Sequence, residues 1–208
     1  MDELKLCLVT DRSQTGSRDL VDVVGEALAA GLPAVQLREK DLPPAELVAL
    51  ARRLREVTHA HGAALVVNDR VDVALAVGAD AVQRTTTSMP IADMRIVAGN
   101  RLRVAASVHS RDEAVAAEET GADWIVFGPM YDTPSKRRYG APQGIEKLEA
   151  VAKAVRTPIV AIGGITPARV PEVLAAGACG VAVIAAILAA PSPAAATREF
   201  LDALARHA

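Results

Sequence analysis

Short apolar runs recur along the chain and alternate with longer segments that have helical periodicity. Four runs share one pattern, in which a glycine, usually with an alanine close behind it, leads into a β-rich stretch. They are GLPAVQL at Gly31, GADAVQ at Gly78, GADWIVFG at Gly121 and GACGVAVI at Gly177. Because each follows a segment rich in Ala, Leu and Val, each glycine suits the end of a helix that leads into a strand. The pattern predicts a repeated helix-then-strand unit.

The apolar runs predict eight strands, at Leu4 to Val9, Ala34 to Leu37, Ala64 to Val67, Ala81 to Gln83, Arg103 to Ala106, Trp124 to Phe127, Ile159 to Ile162 and Gly180 to Val183. Helices are predicted between them, for example at Leu20 to Ala30, Pro44 to His61, Arg111 to Thr120, Ile145 to Ala154 and Thr166 to Ala176, and a last one ends near Arg206. Strict alternation favours parallel strands with right-handed crossovers. Eight such units close most economically as a (β/α)8 TIM barrel.

We expect residues 1–208 to form one compact domain, because no composition shift or linker marks a domain boundary. An open doubly wound sheet is the alternative fold, but VTDRSQTG stands where a glycine-rich dinucleotide motif would follow the first strand. The longest irregular segment is Gly128 to Gly144, after the sixth strand. A long polar loop in a compact barrel is usually functional.

Composition narrows the function. The net charge of -2 argues against general attraction to nucleic acid or acidic membranes, so any anion binding must be local. No apolar run approaches the roughly 20 residues of a membrane span, and MDELKLCLVTD does not resemble a signal peptide, so a cytoplasmic location is expected. Cys7 and Cys179 lack metal-ligand spacing and are expected to be buried free thiols.

Candidate functional residues follow the strands. In a barrel of this kind the active site lies at the C-terminal ends of the strands, where the loops converge. The candidates are Thr10, Asp11, Gln36, Arg38, Lys40, Asn68, Asp69, Gln83 to Ser88, Ser107, His109, Thr133, Ser135, Lys136, Gly163, Gly164, Ile184 and Ala185.

Basic residues concentrate in two of these loops. Arg38, Lys40 and Lys136 would lie on one rim, which suits a polyanionic substrate. The alternative is that Arg38 and Lys40 form surface ion pairs with Glu39 and Asp41, because charge runs are commonly solvated.

The segment AIGGIT, at 161–166, has the features of a phosphate site. Gly163 and Gly164 would let a phosphate approach backbone N–H groups, and Thr166 with Pro167 would begin a helix whose N-terminus favours an anion. Many barrels bind phosphate between the loops after strands seven and eight. A generic tight turn is the alternative.

Other candidates also have two interpretations. Asn68 and Asp69 could cap the next helix, or offer hard oxygen ligands to Mg²⁺ beside substrate phosphates. His109 could be a functional residue at the rim of the barrel mouth, or it could stabilise its own loop. Trp124 and Phe127 are expected to be core residues.

An ordered set of motifs resembles thiamine phosphate synthase and its relative thiazole tautomerase. The motifs are LVTD (8–11), QLREKD (36–41), VVNDRVDVALAVGAD (66–80), ASVHS (106–110), GPMYDTPSK (128–136), PQG (142–144), AIGGIT (161–166) and GVAVIAAI (180–187). The resemblance implies a TIM barrel. Its synthase members join hydroxymethylpyrimidine diphosphate to thiazole phosphate and release pyrophosphate with Mg²⁺.

The resemblance also implies roles for single residues. The pyrimidine and diphosphate ligands of the synthases match Gln36, Arg38, Lys40, Asn68, Ser107 and Lys136, of which Arg38, Lys40, Ser107 and Lys136 are expected to carry catalysis. A metal ligand matches Asp69. The contacts to thiazole phosphate match Thr133, Ser135, Gly164, Ile184 and Ala185, with Gly163 beside them.

One loop departs from the synthase pattern. Synthases usually read VHLGQED after the fourth strand, whereas this chain reads VQRTTTS, which puts Gln83 in place of the histidine and Ser88 in place of a second metal ligand. A hydroxyl brings no charge to offset Mg²⁺, so whether Asp11 or Asp93 replaces that carboxylate stays open. Loss of the acidic loop resembles the tautomerases, yet Pro129 stands where their histidine is expected.

Three functions are therefore considered. The first is a synthase-type transferase with small phosphorylated pyrimidine and thiazole substrates. The alternatives are thiazole tautomerase, which isomerises a thiazole carboxylate phosphate without a metal, and a non-catalytic binder of thiazole or thiamine phosphate. The sequence is compatible with a homo-oligomer, since barrel proteins often associate, but it does not settle the oligomeric state because no interface patch can be identified.

Overall fold

The computed structural model describes residues 4–132 and 142–207. Its strands are β1 Leu6–Val9, β2 Ala34–Leu37, β3 Ala64–Asn68, β4 Ala81–Arg84, β5 Arg103–Val108, β6 Trp124–Phe127, β7 Ile159–Ile162 and β8 Gly180–Val183. Its helices are α1 Leu20–Ala29, α2 Pro44–Ala60, α3 Val71–Val77, α4 Ile91–Ala98, α5 Arg111–Glu119, α6 Gly144–Ala154, α7 Val170–Ala175, α8 Ala185–Leu188 and α9 Pro193–Ala205. The strands are all parallel and follow chain order around a closed barrel.

The prediction of a (β/α)8 TIM barrel is confirmed. Pairing of Leu6 with Val181 joins the first strand to the last, which an open doubly wound sheet would leave apart. β3 and β5 run one and two residues further than their patterns predict, because Asn68 pairs with Gln83 and Ser107 pairs with Val126. These two polar side chains are therefore held by strands rather than by loops.

The helix predicted from Thr166 begins later than expected. Pro167–Arg169 forms a 3-10 turn, and α7 starts only at Val170. Pro171 has no N–H to donate to the Pro167 carbonyl, so that carbonyl accepts a hydrogen bond from the Val170 N–H instead. Thr166 occupies the N-cap position, but its side chain makes no capping hydrogen bond.

Strand alternation divides the apolar core into two layers. Side chains such as Leu8, Val35 and Phe127 face the surrounding helices, whereas Trp124 and Val160 fill the barrel interior. Trp124 and Phe127 are both buried core residues, as predicted. Successive residues along each strand therefore serve different layers, and the site residues continue the inward-facing rows.

Both cysteines are free, as predicted, but they lie in different surroundings. Cys7 lines the barrel interior, where burial raises the pKa of its thiol to about 12. The prediction that Cys179 is buried is wrong, because it precedes β8 at the edge of the barrel and is exposed. Neither thiol lies at the C-terminal end of a strand.

The N-terminal end of the barrel is closed by a cation over an aromatic ring. The guanidinium carbon of Arg103 lies 5.4 Å from the centroid of the Trp124 ring. Beside it, an open depression of about 410 Å³ is lined by Arg55, His59 and Asp80, among others. Asp80 accepts hydrogen bonds there from Arg55 and from the Leu65 N–H, so its carboxylate has a structural role. No helix of the described ranges is long and apolar enough to cross a bilayer.

Candidate functional site

The loop after β2 is held by an arginine that follows β1. Arg12 donates from Nη1 to Glu39 Oε2 at 3.1 Å, and its guanidinium forms two bonds to Asp41 at 2.7 and 2.6 Å. The Arg12 backbone N–H also donates to Glu39 Oε1 at 3.1 Å. These bonds lower the pKa of the Asp41 carboxyl, chiefly through the hydrogen bond from Arg12. The alternative in which Arg38 and Lys40 pair with these two carboxylates is therefore wrong.

Arg38 and Lys40 lie at the C-terminal end of β2 without an ion pair among the residues that the structure describes. The Arg38 N–H donates to Oγ1 of the fully buried Thr10 at 2.9 Å, so the backbone of the loop is fixed from β1. Lys40 is exposed and Arg38 is half-buried. Two cations are thus held on a fixed backbone and left available for an anion.

Asn68 ends β3, and Asp69 turns the chain away from the barrel. Asp69 has a φ of 67°, the single positive φ among the described non-glycine residues. Such a conformation costs an L residue about 1 kcal/mol, and residues of this kind cluster at functional sites. The capping interpretation is wrong, because α3 has Arg70 at its N-cap and no side-chain capping bond. Within the described residues, the half-buried Asp69 carboxylate accepts no hydrogen bond.

The loop after β4 is closed upon itself by hydroxyl groups. Ser88 Oγ accepts a hydrogen bond from the Thr85 N–H at 2.9 Å and lies 2.9 Å from Thr85 Oγ1, which is 3.3 Å from Thr87 Oγ1. The Ser88 N–H donates back to the Thr85 carbonyl at 3.2 Å. Ser88 therefore shapes its own turn, and its hydroxyl supplies no negative charge.

Magnesium can be tested against the donors present. No group of three or more His, Cys, Asp and Glu side chains in 4–132 and 142–207 is arranged to hold a metal. Asp11 is occupied, since its Oδ1 accepts from the Ser13 N–H at 3.1 Å, and Asp93 is exposed in the first turn of α4. Asp69 remains as a hard oxygen donor. It fits Mg²⁺ in the arrangement where one carboxylate and substrate phosphates share the ion.

Ser107 and His109 lie at the end of β5 and just after it. Gln83 Nε2 donates to Ser107 Oγ at 2.9 Å. The His109 ring donates from Nδ1 to the Gly128 carbonyl at 2.6 Å, and its N–H donates to Glu113 at 2.6 Å. His109 therefore does not only stabilise its own loop, because its ring connects β5 to the end of β6.

The ends of β7 and β8 offer a group of backbone donors. Gly163 and Gly164 have φ values of 105° and 68°, and a Cβ on Gly163 would lie 2.7 Å from the Pro129 Cβ, so a side chain is excluded there. Ile184 precedes α8, and Ala185 begins it. In the described chain, the N–H groups of these four residues donate no hydrogen bond. This arrangement suits a phosphate.

The glycine turn is supported by Arg169 and Tyr131. Arg169 donates to the Gly164 carbonyl at 2.6 Å, and its guanidinium lies 4.1 Å from the centroid of the Tyr131 ring. The Tyr131 hydroxyl donates to Glu172, and burial raises the pKa of Tyr131 to about 12, so the phenol keeps the proton that it donates. The segment after β6 is thereby joined to the turn after β7.

Three predicted site residues, Thr133, Ser135 and Lys136, lie outside the described residues. Gln36 is buried in the barrel interior and donates to Asn68 at 3.3 Å. Sequence reasoning missed Arg12 and Arg169, which hold the loops rather than face the mouth. A signal exists for Arg12, because a basic residue in the loop after one strand can pair with acidic residues in the loop after the neighbouring strand.

Comparison with known proteins identifies relatives across almost the whole chain. The family model described as thiamine monophosphate synthase matches residues 6–187. A Geobacter sulfurreducens protein named "Putative thiamine-phosphate synthase" is 50% identical over 202 residues, 97% of this chain and 95% of that protein. The thiamine-phosphate synthase of Roseiflexus castenholzii is 43% identical over 96% of this chain and 88% of its own. A solved thiamine phosphate pyrophosphorylase from Pyrococcus furiosus has a TM-score of 0.90 at 38% identity, covering 98% of this chain and 96% of that one.

Proposed function

The chain belongs to the thiamine monophosphate synthase family, and on that basis we propose that it joins hydroxymethylpyrimidine diphosphate to thiazole phosphate. The products are thiamine phosphate and pyrophosphate. The observation that carries the proposal is that, among the described residues, one barrel face presents two kinds of group that suit an anion. They are Arg38 and Lys40, which have no ion pair there, and backbone N–H groups that donate no hydrogen bond there. A reaction with one diphosphate and one monophosphate substrate uses both.

The diphosphate belongs at the end of β2. Arg38 and Lys40 offset the charge that develops on the departing pyrophosphate, and Asn68 on β3 and Ser107 on β5 donate hydrogen bonds to it. Lys136 adds a further cation in this proposal. Because charge on the leaving group increases in the transition state, fixed cations lower the barrier more than they strengthen substrate binding.

The thiazole phosphate belongs between β7 and β8. The N–H groups of Gly163, Gly164, Ile184 and Ala185 would hold its phosphate oxygens. Thr133 and Ser135 are proposed as further contacts to the same phosphate. Holding both substrates on one rim places the thiazole nitrogen near the pyrimidine methylene carbon, which converts a bimolecular step into an effectively unimolecular one.

The chemical step is a substitution at that methylene carbon. Its bond to the diphosphate oxygen breaks, the electron pair leaves with pyrophosphate, and the thiazole nitrogen lone pair forms the new carbon–nitrogen bond. The step needs stabilisation of the leaving group and no strong base. Asp69 would hold Mg²⁺ together with the diphosphate oxygens, and the ion would supply additional charge neutralisation.

Direct assay of both substrates tests the proposal. The purified protein is mixed with hydroxymethylpyrimidine diphosphate, thiazole phosphate and Mg²⁺, and pyrophosphate and thiamine phosphate are measured. Equal amounts of both products are expected. No pyrophosphate at high enzyme concentration would contradict the synthase, and tight binding of thiazole phosphate without turnover would instead identify a binder.

Tautomerase activity finds no support in the described contacts. Pro129 stands at the position of the expected histidine, and the His109 ring donates to the Gly128 carbonyl. The proposal also includes a cytoplasmic location and small phosphorylated substrates, in keeping with the biosynthetic family.

A further inference from the structure

The barrel interior contains two glutamines in largely apolar surroundings. Gln36 on β2 and Gln83 on β4 are 6% and 2% exposed, and both line an enclosed cavity of about 20 Å³ together with Val66, Val126 and Val160. The cavity is too small for a substrate, and it lies below the strand ends that carry the site residues. Burying a carboxamide is unfavourable unless it makes hydrogen bonds, so their partners are informative.

Each glutamine donates to a site residue on the next strand. Gln83 Nε2 donates to Ser107 Oγ at 2.9 Å, and Gln36 Nε2 donates to Asn68 Oδ1 at 3.3 Å. The same AVQ sequence thus produces the same arrangement twice, once between β2 and β3 and once between β4 and β5. Ser107 and Asn68 are both half-buried at the C-terminal ends of their strands.

These hydrogen bonds determine whether Ser107 and Asn68 donate or accept a hydrogen bond at the substrate side. A serine hydroxyl has one proton to donate and two lone pairs that accept. When Gln83 occupies a lone pair of Ser107, the Ser107 proton is left for another acceptor. In the same way, a bond to Asn68 Oδ1 leaves the Asn68 NH₂ group as the free end. Each residue then presents a donor, which is what an anionic diphosphate requires.

We propose that Gln83 is a positioning residue that keeps Ser107 as a hydrogen-bond donor to the diphosphate oxygens. The inference rests on the proposed function and deepens it, since it assigns a role to a residue beneath the substrate. Gln36 acts on Asn68 in the same manner. Gln83 affects the reaction through Ser107, so its contribution disappears when the Ser107 hydroxyl is removed.

A double-mutant cycle tests this dependence. Wild type, Gln83→Met, Ser107→Ala and the double variant are compared by kcat/KM for hydroxymethylpyrimidine diphosphate and by calorimetric Kd for inorganic pyrophosphate with Mg²⁺. Gln83→Met is expected to lower kcat/KM about tenfold, the scale of one hydrogen bond to a charged group, but to have no further effect in the Ser107→Ala background. An equal tenfold loss in both backgrounds would overturn the proposal.

Thr197→Val serves as the matched control. Thr197 is also fully buried, but its hydroxyl has no partner in the described chain and it lies on α9, so kcat/KM should stay unchanged. If wild type itself releases no pyrophosphate, the proposed function fails. If wild type turns over and Gln83→Met equals it, only the positioning role fails.

Gln83→Glu gives a second readout that packing alone would not produce. A protonated carboxyl can donate a hydrogen bond to Ser107 as the carboxamide does. A carboxylate can only accept one, so the Ser107 hydroxyl would donate its hydrogen bond to the carboxylate and not to the diphosphate. The ratio of variant to wild-type kcat/KM should therefore fall as pH rises through the titration of the buried carboxyl. The titratable groups in the same cavity wall are Cys7 and Arg103, and the Cys7 thiol keeps its proton across this range because burial raises its pKa to about 12. If the ratio of variant to wild-type kcat/KM does not change from about pH 5 to about pH 9, the proposal is contradicted.

Discussion

β2 and β4 begin with the same three residues, but the loops that follow them differ: one carries charged side chains and the other carries hydroxyl groups. Both strands read AVQ, and both glutamines lie inside the barrel. After β2 the chain enters a run of charges, and Arg12 holds Glu39 and Asp41. After β4 the chain enters a run of hydroxyls, and Ser88 closes the turn through Thr85.

This difference shows that the barrel determines where the two strand ends lie, whereas the loops determine which charges they present. Strand alternation places both glutamines and fixes both exits on the same face. Charge at each exit depends on pairing within the loops. Because Arg12 pairs with both acids after β2, Arg38 and Lys40 are left without an ion pair among the described residues, whereas the loop that follows Arg84 at the end of β4 presents uncharged hydroxyls. We therefore assign the diphosphate to the β2 side.

Removing Lys40 should cause the largest change. We expect Lys40→Ala to lower kcat about 100-fold, because a cation at the leaving group acts mainly in the transition state. The KM for thiazole phosphate should change less than about threefold, since that phosphate binds elsewhere. Steady-state kinetics with each substrate varied in turn would measure both effects.

Lys153→Ala is the control for this variant. Lys153 is an exposed lysine on α6 that pairs with Glu149, away from the barrel mouth. Its kinetics should match wild type. Equal losses of kcat and thiazole phosphate affinity in Lys40→Ala would contradict the assignment of Lys40 to the diphosphate.

Removing Arg12 should weaken both the loop and the fold. In Arg12→Ala, Glu39 keeps its buried carboxylate, 3% exposed, but loses the guanidinium. We expect the free energy of unfolding to fall by about 1 to 2 kcal/mol in urea titrations, and kcat to fall as Lys40 loses its fixed support. Arg53→Ala removes an exposed arginine–aspartate pair between α1 and α2 and should cost less. Equal stability losses in the two variants would argue against the buried role of Glu39.

Adding a carboxylate to the loop after β4 should change metal affinity. Ser88→Asp supplies the negative charge that the hydroxyl lacks, so we expect the Kd for Mn²⁺, a substitute for Mg²⁺, to fall about tenfold without substrate. Thr86→Asp adds the same charge at an exposed position of the same loop. Calorimetry should show a clearly smaller effect there. Identical Kd values for the two variants would mean that position 88 has no special relation to the metal.

Acid should produce the smallest effect, through Asp41. The hydrogen bond from Arg12 lowers the pKa of Asp41 in the folded state, so its stabilisation is present above the unfolded pKa, about 3.9, and is lost as pH falls through the folded value. Because Asp41 is 72% exposed, Asp41→Asn should lower the unfolding midpoint only slightly at pH 7. The difference from wild type should disappear on acidification. A difference that grows as pH falls would contradict the pairing.

The sequence predicted the barrel well because each strand repeats the same physical requirement. A buried parallel strand needs a short continuous apolar run, and a glycine often ends the helix before it. The extra residues of β3 and β5 were missed since Asn68 and Ser107 are polar, although they still pair with their neighbours. Local pattern cannot detect such pairing.

The candidate site was less accessible to sequence reasoning, because it depends on contacts distant in the chain. The separation between Arg12 and Asp41, or between Tyr131 and Glu172, leaves no periodic signal. The two AVQ stems identified equivalent strand ends. They did not reveal that both glutamines donate to the following strand, since the direction of a carboxamide is set by its three-dimensional neighbours.

Pyrophosphate binding tests the central claim most directly, because it separates the two exits without requiring turnover. Inorganic pyrophosphate with Mg²⁺ is titrated calorimetrically into wild type, Lys40→Ala and Ser88→Ala. The account predicts that Lys40→Ala weakens binding about tenfold or more, while Ser88→Ala, which loses only a hydroxyl of its own turn, binds as wild type does. Weaker binding in Ser88→Ala together with unchanged binding in Lys40→Ala would contradict it.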